Sequence, residues 1–137
     1  MDIVFIIFMN DDLKSENVMD VKVIQKPWGS ETIWAHTEHY VGKILSVKAN
    51  EALSIQYHNE KDETMHVLSG MGIIKFYDLE NDAPVITQIH LVHAGESVHI
   101  PPKQIHNVEA MSDMTILEAS TNHLDDLVRV QDRYNRG

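Results

Sequence analysis

Three side chains that can bind a metal ion or exchange a proton lie in one short stretch, SIQYHNEKDETMHVLSG at residues 54 to 70. Gln56 and His58 are two residues apart, so their side chains share one face of a β-strand. A polar turn follows His58, and Glu63 then begins the next alternating segment. If the two predicted strands pair, Glu63 lies over Gln56 and His58, and the three side chains converge.

An imidazole, a carboxylate and an amide oxygen together suit a divalent ion such as Zn, Mn, Fe or Ni. The same pattern also fits a hairpin that shows a polar face to water and binds nothing. The stretch alone therefore leaves open whether it is a metal site or a solvated hairpin.

Short predicted strands run along most of the chain and must position these side chains. Turn residues recur every 8 to 12 positions, for example ENDAP at 80 to 84 and HAGE at 93 to 96. This cadence is typical of an all-β sandwich or barrel. Near the C-terminus, HLDDLVRV at 123 to 130 is predicted to form one or two helical turns.

The composition bounds the kind of protein. The chain has 137 residues, which suits one domain, and no cysteine, which excludes a disulfide framework and predicts a reducing, cytoplasmic location. Its formal net charge of −10 argues against nucleic acid and anionic membranes as partners. An anionic substrate would need a locally positive pocket in so acidic a protein. No apolar run approaches the ~20 residues of a membrane span.

The spacing around residues 54 to 70 resembles the first motif of the cupin family, with glutamine at the first histidine position. A second stretch, GESVHIPPKQIHNVEA at 95 to 110, resembles the second cupin motif. The matching residues are His58, Glu63 and Gly70 in the first motif, and Gly95, Pro101 and His106 in the second. Four positions depart from the motifs: Gln56 replaces the first histidine, Asn50 and Lys103 each replace a glycine, and Ala110 replaces an asparagine.

The C-terminal segment EASTNHLDDLVRVQDRYNRG narrows the resemblance to the mannose-6-phosphate isomerase-like cupins, which include the isomerase domain fused to mannose-1-phosphate guanylyltransferase. The fitting residues are Glu118, Ser120, Thr121, Asp125, Asp126, Val128, Arg129, Asp132, Tyr134 and Arg136. Asn135 replaces a glycine of that ending, and KPWG at 26 to 29 matches the start of the same family. The resemblance runs from about Lys22 to Arg136.

This resemblance implies a single cupin barrel, a double-stranded β-helix or jelly roll with a short C-terminal tail, over residues 19 to 137. Residues 1 to 18 are predicted to be an N-terminal extension, either disordered or an added strand. Because sheet edges invite pairing, the barrel is expected to form a homodimer. Trp28 and Trp34 are predicted to pack in the core or at its rim.

The implied chemistry is interconversion of an aldose phosphate and a ketose phosphate. A divalent metal held by Gln56, His58, Glu63 and His106 would polarise the substrate carbonyl. The predicted phosphate and substrate contacts are Lys103, Arg129, Arg133, Arg136 and His99. The proton-transfer base is not identifiable from the sequence. Two alternatives stay open because the fold hosts many functions: a non-catalytic sugar- or metabolite-binding cupin, and another metal-dependent cupin enzyme, such as a dioxygenase or epimerase.

Overall fold

Two antiparallel sheets pack face to face in the computed structural model, which describes residues 16–136. The strands of this part of the chain are β1 (Lys22–Lys26), β2 (Gly29–His36), β3 (Val41–Val47), β4 (Ile55–Tyr57), β5 (Glu63–Ser69), β6 (Met71–Glu80), β7 (Ala83–His93), β8 (Ser97–Ile100), β9 (Ile105–Ala110), β10 (Met114–Ser120) and β11 (Val128–Gln131). One sheet has the order β1-β2-β3-β10-β5-β8 and the other β11-β4-β9-β6-β7. The all-β jelly-roll prediction is confirmed.

Alternation along the strands builds the core at one end of the barrel. In the six-stranded sheet Leu45, Ile116 and Val67 lie side by side on β3, β10 and β5, and all three are buried. In the five-stranded sheet Ile74 on β6 lies opposite Val108 on β9, and both are fully buried. Directly opposed residues of antiparallel strands point to the same face, so these rows meet between the sheets.

Further along the same strands, the inward-facing rows become polar. Lys43, Glu118 and Met65 form the next row of the six-stranded sheet, and Glu63 lies in the row after that. Both Lys43 and Glu118 are buried. The barrel interior therefore has an apolar end and a charged end.

The three residues that replace expected glycines keep a glycine-like backbone. Asn50, Lys103 and Asn135 have φ values of 68°, 69° and 57°. This left-handed region is unfavourable for residues with a side chain, although asparagine tolerates it better than lysine. The turns of the motifs are thus retained although their glycines are lost.

The tail and one of the two tryptophans differ from what the sequence predicts. The predicted helical turns in the tail are wrong: Val128–Gln131 is a strand that pairs with β4, because β-branched Val128 and Val130 alternate along a free sheet edge. Trp28 is buried, as expected, whereas Trp34 is 51% exposed.

The predicted extension at 1 to 18 falls largely on residues 1 to 15, which lie outside the described part. Within residues 16–136, no helix is long and apolar enough to cross a membrane.

Candidate metal centre

Three buried side chains meet at the charged end of the barrel. His58 follows β4, Glu63 begins β5 and His106 is the second residue of β9. The His106 Nε2 atom lies 3.3 Å from Glu63 Oε1, and His58 Nε2 lies 3.7 Å from Glu63 Oε2. One potential ligand atom from each residue lies within 4.8 Å of the other two. The structure therefore brings these three predicted ligands together.

Backbone carbonyl groups orient both imidazoles. The Nδ1 atom of His58 is hydrogen-bonded to the carbonyl oxygen of Asp126, and Nδ1 of His106 to that of Gln104 at 2.8 Å. A carbonyl oxygen can only accept, so each Nδ1 carries a proton, and the Nε2 atom of each ring is turned towards Glu63. This arrangement of a second hydrogen bond behind each ring is usual for metal-binding histidines.

Three polar atoms at the centre are buried without a hydrogen-bond partner, namely His58 Nε2, His106 Nε2 and Glu63 Oε1, whereas Glu63 Oε2 is paired with Lys61 Nζ at 2.7 Å. Buried polar atoms are seldom left unsatisfied, and each such atom needs a reason. A divalent cation would satisfy two neutral imidazole nitrogens and a carboxylate at once. The donor set thus fits the divalent metal that the resemblance to cupins implies.

The protonation states also suit a cation. Burial lowers the pKa of His58 below its ordinary value, which leaves the ring neutral at neutral pH. Burial works against the charged form of Glu63. The contacts of Glu63 with His106 and Lys61 outweigh that effect and hold its pKa well below the usual range. A neutral imidazole and an ionised carboxylate are the forms that bind metal.

The fourth predicted ligand, Gln56, is brought to the same place. It lies directly opposite His106 across the β4–β9 pair, so both side chains share the inner face. Its Oε1 atom accepts a hydrogen bond from the Ser54 hydroxyl at 2.7 Å. Gln56 therefore lies beside His106 on the inner face, and its role as a ligand stays a prediction.

The turn that carries the site is clamped by the tail. The Asp126 carboxylate accepts hydrogen bonds from the backbone N–H groups of Asn59, Glu60 and Lys61, at 2.7–2.9 Å. These bonds lower the pKa of Asp126 to about 2, and the bond from the Glu60 N–H has the largest effect. Because the same residue's carbonyl oxygen holds His58, Asp126 positions both the turn and one candidate ligand.

A buried ion-pair cluster adjoins the triad, and the sequence reasoning missed it. Lys61 Nζ lies 2.7 Å from Glu63 Oε2 and 3.1 Å from Glu118 Oε2. Burial disfavours the charged form of Lys61, but these two carboxylates outweigh it and raise its pKa. Burial and the nearby Glu63 raise the pKa of Glu118 to about 7. Lys43 on β3 and Glu118 on β10 occupy inward-facing positions of strands whose other inward-facing residues are mostly apolar. A charged residue within such an alternating apolar pattern is the signal that could have identified them.

A cavity opens beside the triad, and its lining is rich in cations. Five of them line it: Lys26, Lys43, Lys61, Arg129 and Arg136. The lining also includes the carboxylates of Glu31 and Glu118. The lining thus carries more cations than carboxylates although the chain as a whole is acidic, and of these cations Arg129 has no carboxylate partner within the described residues.

Of the predicted phosphate contacts, Arg129 and Arg136 line this cavity. The Nε atom of Arg129 is buried without a hydrogen-bond partner, whereas Arg136 is paired with Asp132 at 2.8 Å.

The other three predicted contacts lie outside that lining. Lys103 is exposed, and its backbone N–H donates to the His58 carbonyl. Arg133 bonds the Asn50 carbonyl, and His99 pairs with Asp62 at 2.6 Å. Their roles as phosphate contacts stay predictions.

Known proteins resemble the chain over most of its length. Mannose-1-phosphate guanylyltransferase ManC of Salmonella typhimurium is 27% identical over 118 residues, which is 82% of this chain and 23% of that protein. The capsular polysaccharide assembling protein CapF from Staphylococcus aureus superposes with a TM-score of 0.67 at 20% identity, covering 85% of this chain and 33% of that one.

A smaller protein matches over nearly its whole length. An RmlC-like cupin from Shewanella frigidimarina superposes with a TM-score of 0.64 at 10% identity, covering 81% of this chain and 95% of that one. These structural likenesses establish the cupin fold. Residues 12–132 match the family described as "Mannose-6-phosphate isomerase C-terminal". Because that match covers most of the 137 residues, the chain belongs to the mannose-6-phosphate isomerase C-terminal family and has the cupin fold.

Proposed function

We propose that this domain binds a sugar phosphate beside a divalent metal and interconverts its aldose and ketose forms. The observation that carries the proposal is the convergence of three unsatisfied buried ligand atoms with a cation-lined cavity. The chain spans about a quarter of the guanylyltransferases that it resembles, so their activity is not transferred to it.

The side chains divide into two groups under this proposal. His58, Glu63 and His106 would hold the metal, with Gln56 as the fourth ligand. When bound, the metal would polarise the substrate carbonyl.

Arg129 is the best candidate for the phosphate group. Its Nε atom is buried and unpartnered. Within the described residues, no carboxylate lies within ion-pair distance of its side chain. A guanidinium group can bind a phosphate through two parallel hydrogen bonds. Arg136 lines the same cavity and would add positive charge, although Asp132 already engages it.

Glu118 is the candidate for moving a proton. It lines the cavity, and its pKa of about 7 lets it accept and release a proton near neutral pH. The adjacent Lys61 would stabilise the ionised form of Glu118.

The direct test is turnover of mannose 6-phosphate and fructose 6-phosphate, followed by NMR, with purified protein and added Zn²⁺ or Mn²⁺. We expect interconversion that stops when a chelator is added and resumes when metal is restored. Arg129→Gln should raise KM more than it lowers kcat, since it removes a phosphate contact. The matched control is Arg133→Gln, which alters an arginine outside the cavity lining. No turnover with either ion would contradict the isomerase proposal.

A binding function without catalysis is the second candidate, and the Lys61–Glu63 ion pair favours it. That pair already neutralises part of the charge that a metal would need. The same NMR assay separates the two candidates, because a non-catalytic binding module would bind the sugar phosphate without converting it, and no signals of the other sugar phosphate would appear over time.

We also infer a cytoplasmic homodimer that acts on small metabolites. The edge strand β7 supports the dimer, since Ile86, Ile89 and Leu91 on it are about half exposed or more. Sedimentation at micromolar concentration should give a mass near twice 15.7 kDa. Ile89→Lys should shift the protein to monomer, whereas a wild-type protein that sediments as a monomer would remove the proposal.

A further inference from the structure

The ammonium group of Lys61 shares a carboxylate with the candidate metal ligands. Its Nζ atom is 2.7 Å from Glu63 Oε2, the same oxygen that lies 3.7 Å from His58 Nε2. The Lys61 and Glu63 side chains are 7% and 1% exposed, so solvent screens this contact little. A divalent ion bound to Glu63 would meet this positive charge at close range.

Glu118 gives Lys61 a second partner. Its Oε2 atom is 3.1 Å from Lys61 Nζ, and its side chain is 4% exposed. Lys61 can therefore release Glu63 and still be paired, whereas without Glu118 it would be left as a buried, uncompensated charge. The cluster of Lys61, Glu63 and Glu118 holds one cation and two carboxylates, so Lys61 can pair with either Glu63 or Glu118.

We propose that Lys61 is a tethered cation that competes with the divalent ion for Glu63 and sets the metal affinity of the site. The inference rests on the proposed metal site and adds a residue that tunes it. Metal binding transfers Lys61 from Glu63 to Glu118, and loss of metal returns it. The buried carboxylate is thus neutralised in both states, and the barrel end stays folded without the ion.

The test is the dissociation constant for Zn²⁺, measured by competition with a chromophoric chelator. Lys61→Gln should bind Zn²⁺ at least about tenfold more tightly than the wild type, a difference of roughly 1.4 kcal/mol. Lys61→Arg keeps the charge and should stay near the wild-type affinity. Lys75→Gln is the control, because Lys75 pairs with Glu109 at 3.1 Å and lies outside the lining of the cavity beside the triad. It should change the affinity by less than about threefold.

A double variant separates direct competition from general electrostatics. Lys61→Gln with Glu118→Gln removes the cation together with a carboxyl group that pairs with it, so the net charge of the cluster changes less than in Lys61→Gln alone. It also avoids leaving two buried carboxylates unpaired, should Lys61→Gln alone fail to fold. The inference expects this double variant to bind Zn²⁺ more tightly than the wild type. Equal or weaker binding by a double variant that melts cooperatively would overturn it.

The outcomes for Lys61 and for the isomerase proposal are distinct. Tighter Zn²⁺ binding by the double variant without any sugar-phosphate turnover would leave the Lys61 inference standing and remove the isomerase. If the wild type turns over sugar phosphate but Lys61→Gln, alone or with Glu118→Gln, leaves the Zn²⁺ affinity unchanged, the isomerase proposal stands and the Lys61 inference is removed.

Discussion

The two ends of the barrel interior are built from the same strands and differ in what those strands place there. At the apolar end, Leu45, Ile116 and Val67 lie in one row across β3, β10 and β5. Two residues along β3 and β10, the row begins with Lys43 and Glu118 instead. Both rows are closed to solvent, so burial alone does not distinguish the core from the site.

The hydrogen-bond and ion-pair partners of the buried side chains, rather than their solvent exposure, therefore identify the functional end. Apolar side chains at one end need only be packed. At the other end each buried charge has a counter-charge, such as Lys43 with Glu31 at 2.8 Å. The exceptions are three ligand atoms without a hydrogen-bond partner, His58 Nε2, His106 Nε2 and Glu63 Oε1, whereas Glu63 Oε2 is paired with Lys61. Predictions that change one end while sparing the other can therefore test the assignment.

The largest effect is expected at the charged end. His58→Ala with His106→Ala should reduce bound Zn²⁺ from about one ion per chain to about none, because two of the three imidazole and carboxylate ligands are lost. Elemental analysis after desalting measures this. His39→Ala with His66→Ala, which removes two histidines that are not buried, is the control and should keep the ion. Wild-type metal content in the first double variant would place the site elsewhere.

At the apolar end, Ile116→Ala should lower the free energy of unfolding by about 2–5 kcal/mol, since it opens a cavity among fully buried side chains. Ser120→Ala, four residues along the same strand, removes one hydrogen bond and should cost only about 1 kcal/mol. Urea denaturation gives both values. Folded Ile116→Ala protein should still bind metal, and loss of the ion there would mean that the two ends are coupled.

The acid clamp at the charged end predicts a pH dependence. The pKa of Asp126 is about 2 in the folded protein and ordinarily 3.8, so the unfolded chain takes up the proton first as the pH falls. The stabilisation is present above about pH 4 and is lost as the pH falls towards 2. Asp126→Asn should remove about 1 kcal/mol at pH 7, allowing for solvent screening. Denaturation at pH 7 and pH 3 should show a smaller pH effect in the variant, and an equal one would contradict the clamp.

The smallest effect concerns the backbone at the two ends. Lys103→Gly should raise stability by less than about 1 kcal/mol, because glycine adopts a φ of 69° without strain but gains freedom in the unfolded chain. Asn50→Gly, near the apolar end with a φ of 68°, should gain less, since asparagine tolerates this region. Lys103→Ala is the control and should give no gain. A gain with alanine would point to the lysine charge instead.

Much of the site could be predicted because its ligands follow local rules. Gln56 and His58 share a strand face by alternation, and Glu63 begins the strand after one short turn. His106 came from a motif resemblance, and strand pairing then placed it opposite Gln56. The strand that replaced the predicted helical turns near residue 128 was not predictable in this way, because only pairing with β4 stabilises so short a segment.

The sequence by itself determined the all-β architecture, the family and the residues that can bind a metal, because these depend on alternation, turn residues and motif spacing. Tertiary structure alone decided which cations meet the site. Arg129 and Arg136 line the cavity whereas Arg133 does not, although all three lie in one short tail. It also decided that Lys61 lies between Glu63 and Glu118, residues from different strands. Contacts between side chains far apart in sequence depend on how the strands pair and the sheets pack, and no local sequence pattern encodes those contacts.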